Sequence, residues 1–175
     1  KIRSGERLDL VRTTRHDELA ESDFLALAPF GIYTVREGAR WHLIEQEPHR
    51  YNFDTLSLIF DAAQKFGIEV ILDILHFGWP DHIDLFSPDF PNRFADFTAE
   101  LVRFLRTRAI ETIFLAPVNE ISFVAWGAGD EAFLFPFCEG RGSEVKRILV
   151  RSAIESSRLI IRELPEARLV SPEPV

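Results

Sequence analysis

The sequence predicts an α/β fold built on a parallel sheet, and three observations lead there. Short β-branched or apolar runs alternate with amphipathic helical segments along the chain, the pattern of parallel strands joined by right-handed helical crossovers. Phe30-Gly31-Ile32 and Phe66-Gly67-Ile68 repeat one helix-to-strand junction 36 residues apart, as a repeated βα unit would. Polar residues also close successive strand segments: Arg36, His76, Asn119-Glu120 and Glu173. Barrel enzymes build their sites at strand ends in this way.

The elements follow in order. His16 to Ala28 sets Ala20, Phe24, Leu27 and Ala28 at helical spacing, and Gly31 then breaks to Ile32-Tyr33-Thr34-Val35, a first strand near 32–36. Asp54 is expected to cap a helix whose inner face is Leu56, Ile59, Phe60 and Ala63, with Gly67 just past its end. The second strand is predicted at 68–75. Phe94, Phe97, Leu101, Phe104 and Leu105 form the next helix face, and the third strand is predicted at 112–119. Its apolar run ends in an amide beside a carboxylate, which makes Asn119-Glu120 the feature to explain. Val145, Ile148, Leu149, Ala153 and Ile160 line a last helix before a strand near 168–172.

Composition narrows the function classes. The 175 residues are 46% hydrophobic, enough for a real core, and one domain is the default for this length. A net charge of -8 with no Lys/Arg run longer than two argues against nucleic acid and against a membrane surface as partner. Cys138 is the only cysteine, so an internal disulfide and a thiol metal cage are excluded, and a reducing, cytoplasmic setting is expected. No apolar stretch approaches the roughly 20 residues of a membrane span. The chain starts at Lys1, holds no methionine and stops at Ser171-Pro172-Glu173-Pro174-Val175, so it is expected to be part of a longer chain.

Nucleotide and metal motifs are weak. Gly140-Arg141-Gly142 precedes a helix, but Val145 stands where a third phosphate-loop glycine would be. A bare helix-entry loop is the better reading. Asp73, His76, His82 and Asp84 lack a metal-binding spacing. Neither a metal nor a cofactor is expected.

At the strand ends the sequence resembles the clan A retaining glycoside hydrolases, and specifically the family 1 β-glycosidases. Arg36 with Trp41 matches the Arg-x4-Trp after the second strand of that family's barrel, and His76 with Pro80 matches the His-x3-Pro after the third. Asn119-Glu120 matches the Asn-Glu after the fourth. The resemblance runs from about Ile32 to the C-terminus and departs at Ile121, usually proline, and at Phe77-Gly78-Trp79. It implies a partial TIM (β/α)8 barrel spanning residues 1–175, with about strands 2 to 5 and their helices. A whole barrel takes about 250 residues.

The resemblance also implies roles. Glu120 would be the general acid/base and Asn119 would bond the sugar 2-hydroxyl. Arg36 would hold the charge of the nucleophile, a glutamate outside this chain, and His76 would line the subsite of the cleaved sugar. A retaining enzyme sets its two carboxyls about 5–5.5 Å apart. Trp41, Trp79 and Trp126 are candidate sugar platforms, and Glu173 is a candidate substrate-binding carboxylate. The expected ligand is a small glycoside or oligosaccharide, and the missing half of the chain or a homodimer partner would cover the open edges.

Other readings stay open at this point. His76 taken alone is as well explained as a hydrogen-bonded core histidine, and Arg36 as the partner of Glu37 or another buried carboxylate. The whole chain also fits a non-catalytic carbohydrate-binding or scaffold protein. A third reading is an unrelated α/β enzyme acting on a phosphorylated sugar, with Glu120 as a base.

Overall fold

The structure, a computed structural model, describes residues 1, 3–108, 110 and 112–174. Four parallel strands form one sheet: β1 (Thr34–Gly38), β2 (Glu69–Leu75), β3 (Phe114–Val118) and β4 (Arg168–Leu169). They lie in sequence order, β1-β2-β3-β4. An open doubly wound sheet reverses its strand order at a switch point, whereas a barrel keeps stepping in one direction. This chain keeps stepping.

Register assigns the two faces of the sheet. Arg36 pairs with Ile71 and Ile71 with Phe114, while Gly38 pairs with Asp73 and Asp73 with Ala116. Since side chains alternate along a strand, these residues share one face. Leu72, Ile74 and Leu115 are fully buried on the other, where the helices pack. The outer strands are shorter or shifted relative to expectation. The first runs to Gly38 and begins only at Thr34, because Ile32 and Tyr33 are exposed and Tyr33 contributes just its carbonyl, 2.7 Å from the Glu69 N–H. β4 is an edge strand, and its ladder with β3 holds two residue pairs.

The helices are α1 (Leu10–Thr14), α2 (His16–Leu27), α3 (Trp41–Ile44), α4 (Asp54–Phe66), α5 (Phe90–Arg106), α6 (Ile121–Val124) and α7 (Gly142–Glu163). Asp54 is the first helical residue of α4 rather than its cap. Asn52 takes that part, its Oδ1 accepting the Asp54 N–H at 2.7 Å, and Phe53 stands at the cap position. Phe90, Phe94, Phe97 and Leu101 of α5 are fully buried. α5 packs on α7 through small polar residues: Thr98 Oγ1 meets Ser156 Oγ at 3.0 Å, and Ser152 donates to the Ile148 carbonyl. Those hydroxyls let the two helices approach without leaving a polar group unpaired.

Trp41 belongs to this core. Its indole stacks on Phe97 at 5.1 Å, meets Phe90 edge-on, and donates Nε1–H to Glu45 Oε2 at 2.7 Å. Glu45 is fully buried and takes further hydrogen bonds from the His49 backbone and from Arg93. A buried carboxylate with this many donors is held in place rather than free to react.

After α6 the chain winds into a π-helical segment, Ala125–Asp130, that runs against the start of α7. Asp130 Oδ1 accepts the Gly142 N–H at 2.8 Å, so the loop of Gly140-Arg141-Gly142 is a capped helix entry. A side chain at Gly129 would come within 2.6 Å of the Gly142 Cα. The two backbones meet there directly.

The segment before α1 lies across the C-terminal ends of β1 and β2. Arg7 donates to the Trp79 carbonyl at 3.0 Å and pairs with Asp81, and Arg40 lies 3.5 Å from Asp9. His42 is enclosed beneath this strap. Its Nε2 is 3.5 Å from Asp9 Oδ2 without the geometry of a hydrogen bond. Burial, with Arg7 adding repulsion, pushes the His42 pKa down to about 4.

Gly67 ends α4 at φ 65° with open space where a side chain would go, so Gly67→Ala should lower stability by about 1 kcal/mol through backbone strain alone. Urea unfolding of the intact protein measures it, and an unchanged midpoint would show a relaxed junction. His42 stays neutral in the fold at a pH where an unfolded histidine, with a pKa of about 6.5, is protonated. The unfolded chain then binds the extra proton, so this contribution is whole above about pH 6.5 and is lost as the pH falls toward 4. It amounts to on the order of 3 kcal/mol. The same denaturation repeated across this range should show a shallower pH dependence for His42→Gln than for the parent; equal slopes would rule it out.

Candidate functional site

The strand ends converge on a carboxylate. Asp73 sits in β2 between Gly38 and Ala116 in register, and only 2% of its side chain is exposed. Small residues on both sides leave it room for partners. Arg36, two residues before Gly38 on β1, reaches up the same face and donates Nη2–H to Asp73 Oδ2 at 2.8 Å and to Oδ1 at 3.1 Å. His76, just past β2, sets Nδ1 at 2.8 Å from Asp73 Oδ2. Arg36 Nη2 donates also to Asn119 Oδ1, just past β3. Residues on or just after three successive strands are thus joined in one network.

Each member keeps something for a ligand. Arg36 and His76 are 41% and 45% exposed, above a buried base. Asn119 is 1% exposed, and because a guanidinium can only donate, the amide atom facing Arg36 must be the oxygen. Its Nδ2 is therefore a donor. Among the described residues that buried donor has no partner. An unpaired buried donor costs roughly 1–3 kcal/mol and is worth keeping where a ligand can use it.

Glu120 follows at φ 47° and ψ 60°, the left-handed region that non-glycine residues seldom occupy. Its N–H donates to the Pro172 carbonyl at 3.0 Å and its carbonyl accepts from Val124 at 2.9 Å. These two bonds turn the chain abruptly from β3 into α6 and leave the carboxylate partly exposed at the strand end. Arg40 and Phe77 are left-handed too, at φ 52° and 56°. Each of the three residues lies two positions past the last residue of its strand.

The remaining expected residues divide. Glu173 is exposed but engaged: both its oxygens take the Ser122 backbone N–H, at 3.2 and 3.3 Å, so it anchors the start of α6. Trp41 is excluded as a sugar platform by its burial among the α5 phenylalanines. Trp79 is likewise enclosed, against Phe90 and Phe135. Loop position alone does not tell which way an indole turns. Trp126 is 49% exposed. It continues a run of rings from His76 through Phe77 and Phe123, with centroid spacings of 4.7, 5.5 and 5.9 Å, and meets Phe133 beyond at 5.1 Å. An apolar wall of this kind stands beside the polar cluster.

Asp73 is the member that strand-end reading misses, because it lies inside the apolar run of β2. The signal was there in the form of one charge among Val70, Ile71, Leu72, Ile74 and Leu75. As metal ligands Asp73, His76, His82 and Asp84 do not gather: His82 lies beside Glu45 and Asp84 accepts from the Phe86 N–H. Charge also balances within the cluster. Asp73 pairs with the guanidinium of Arg36, so the permanent cation of the cluster is already matched by a carboxylate.

Comparison with solved structures identifies the fold. The chain is similar to the β-glucosidase from Thermotoga maritima in complex with glucoimidazole, at 18% identity and a TM-score of 0.78, over 88% of this chain and 37% of that one. The same enzyme in complex with deoxynojirimycin gives 17% identity and a TM-score of 0.79, with the same coverage. The AHE enzyme from Alicyclobacillus herbarius gives 15% identity and 0.77, over 88% of this chain and 36% of that one. No protein-family model and no curated protein matches the chain. The chain therefore has the fold of part of a (β/α)8 barrel, and it spans about 37% of the length of those β-glucosidase structures. No helix among the described residues is long and apolar enough to cross a membrane.

Proposed function

We propose that this chain is the part of a family 1-like retaining β-glycosidase that carries the general acid/base, Glu120. The observation that carries this reading is the network ending at β3. Asn119 is buried, fixed by Arg36 and left with an unpaired donor, directly before a strained and partly exposed glutamate. That pairing of amide and carboxylate stands at the strand ends of a barrel fold shared with β-glucosidases whose structures hold glucoimidazole and deoxynojirimycin.

The chemistry assigns each group one task. In the first step the Glu120 carboxyl gives its proton to the glycosidic oxygen as the bond from that oxygen to C1 breaks. The nucleophilic carboxylate, beyond these 175 residues, bonds to C1. In the second, Glu120 takes a proton from water, whose oxygen displaces that carboxylate from C1. Asn119 Nδ2 donates to the 2-hydroxyl, a bond that strengthens as C1 gains positive charge. His76 meets a hydroxyl of the same sugar, and the Trp126 wall receives the leaving group.

Two variants of the intact protein test this. Glu120→Gln should slow glycosides with poor leaving groups by about 100-fold or more, while activated aryl glycosides, which need little protonation, lose far less in the first step. Equal losses on both would remove the acid role, and sugar binding without any turnover would instead mark a carbohydrate-binding protein. Asn119→Ala should lower kcat by about ten-fold or more with KM little changed. A change confined to KM would make Asn119 a ground-state contact only.

A further inference from the structure

We propose that Asp73 is the positioning residue of this site. As a buried carboxylate it fixes the tautomer of His76 and the reach of Arg36, and through Arg36 the orientation of Asn119, so that the cluster reads the hydroxyls of a neutral sugar. The proposal rests on the glycosidase reading only for the identity of the ligand.

The geometry is specific. Asp73 Oδ2 is shared between Arg36 Nη2 and His76 Nδ1, each at 2.8 Å. Oδ1 takes a second contact from Arg36 Nη2 and a longer one from Nε, at 3.1 and 3.3 Å. A carboxylate accepts and does not donate, so the proton of neutral His76 lies on Nδ1, and Nε2 carries the lone pair. With the ring 45% exposed, that lone pair is presented to the open face of the sheet. Arg36 in turn holds Asn119 Oδ1, which leaves Nδ2 as donor. On adjacent strand ends the site thus offers an acceptor, the Nε2 of the neutral His76 ring, beside the Asn119 Nδ2 donor and the exposed edge of Arg36. A sugar hydroxyl can serve both, since it donates and accepts, whereas a phosphate dianion only accepts. Asp73 also compensates the Arg36 charge, which removes the attraction that would otherwise favour an anion. Gly38 and Ala116 flank it in register, so no bulky neighbour competes for its two oxygens.

Tautomers can be read directly. In intact protein labelled with 15N-histidine, a long-range nitrogen–proton spectrum at about pH 8, where a free imidazole is neutral, reports which nitrogen of each ring is protonated. The His76 signals are those absent from His76→Gln. The expected result is an Nδ1–H ring in the parent and a shift toward the Nε2–H form in Asp73→Asn. A parent ring protonated on Nε2 overturns the proposal whether or not the variant folds, as does a tautomer that Asp73→Asn leaves unmoved. Calorimetry with glucoimidazole supplies the second readout, with Asp73→Asn expected to bind about ten-fold or more weakly. If the parent binds glucoimidazole and Asp73→Asn binds it equally well, the positioning role fails. If the parent does not bind it at all, the glycosidase reading fails, and the spectra still decide the role of Asp73.

Discussion

A carboxylate buried in the middle of a strand constrains most of what surrounds it. Removing Asp73 from water costs several kcal/mol unless donors replace the lost hydration. The donors come from elsewhere on the sheet, Arg36 from β1 and His76 from just past β2. Arg36 then extends the same network to Asn119 past β3. Three strands joined by backbone ladders along their lengths are therefore also tied by side chains near their C-terminal ends. Removing the Arg36 guanidinium would leave the buried Asp73 charge without its cation, at a cost of about 3–5 kcal/mol. Fold and candidate site are consequently hard to separate here, since the residues that shape the cluster also fix the relative positions of the strands.

The sequence made the alternation of strands and helices legible, because burial on both faces forces apolar runs such as Ile113 to Val118. It placed the first strand two residues early, since Ile32 and Tyr33 have the composition of a strand but lie exposed outside the ladder. Polar residues past the strand ends were legible for the same reason that the strands were: they interrupt an otherwise apolar stretch. Asp73 interrupts one too, but it lies where periodicity predicts core, and only the register shows Arg36 beside it. The tryptophans failed differently. Trp41 and Trp79 stand at loop-like positions, yet their indoles turn inward to Phe90 and its neighbours, a direction that spacing does not encode. Glu173 was visible as a strand-end carboxylate, and its use as an anchor for Ser122 depends on a fold-level proximity between residues far apart in the chain.

Backbone strain marks the same rim. Arg40, Phe77 and Glu120 each adopt a left-handed conformation two residues past their strands. For a residue with a side chain this conformation costs roughly 1–2 kcal/mol, and glycine would remove that cost at each position. The chain instead keeps side chains that are in use. Arg40 approaches Asp9 under the N-terminal strap, Phe77 begins the run of rings toward Trp126, and Glu120 stands at the head of α6. Strain of this kind persists where the surroundings over-determine it, and the Pro172 and Val124 hydrogen bonds on either side of Glu120 do so here.

Arg36 is the point at which the physics modifies the pattern expected from the resemblance. A guanidinium reserved for the nucleophile's charge would need its hydrogen-bonding edge free, but the Nη2 of Arg36 already serves both Asp73 oxygens and Asn119. Its positive charge is matched by a carboxylate of the same chain before any second carboxylate approaches. A nucleophile arriving beside Arg36 would meet a site that is close to neutral, and would be stabilised less than by an unpaired cation. The weaker hold on its charge has a chemical consequence in the proposed mechanism. A carboxylate held less tightly is a better nucleophile toward C1 and a poorer leaving group from it, so the balance between forming and hydrolysing the glycosyl intermediate moves toward formation. Under the proposed mechanism Asp73 would adjust the chemistry without touching the sugar, by deciding how much of the Arg36 charge is left to share.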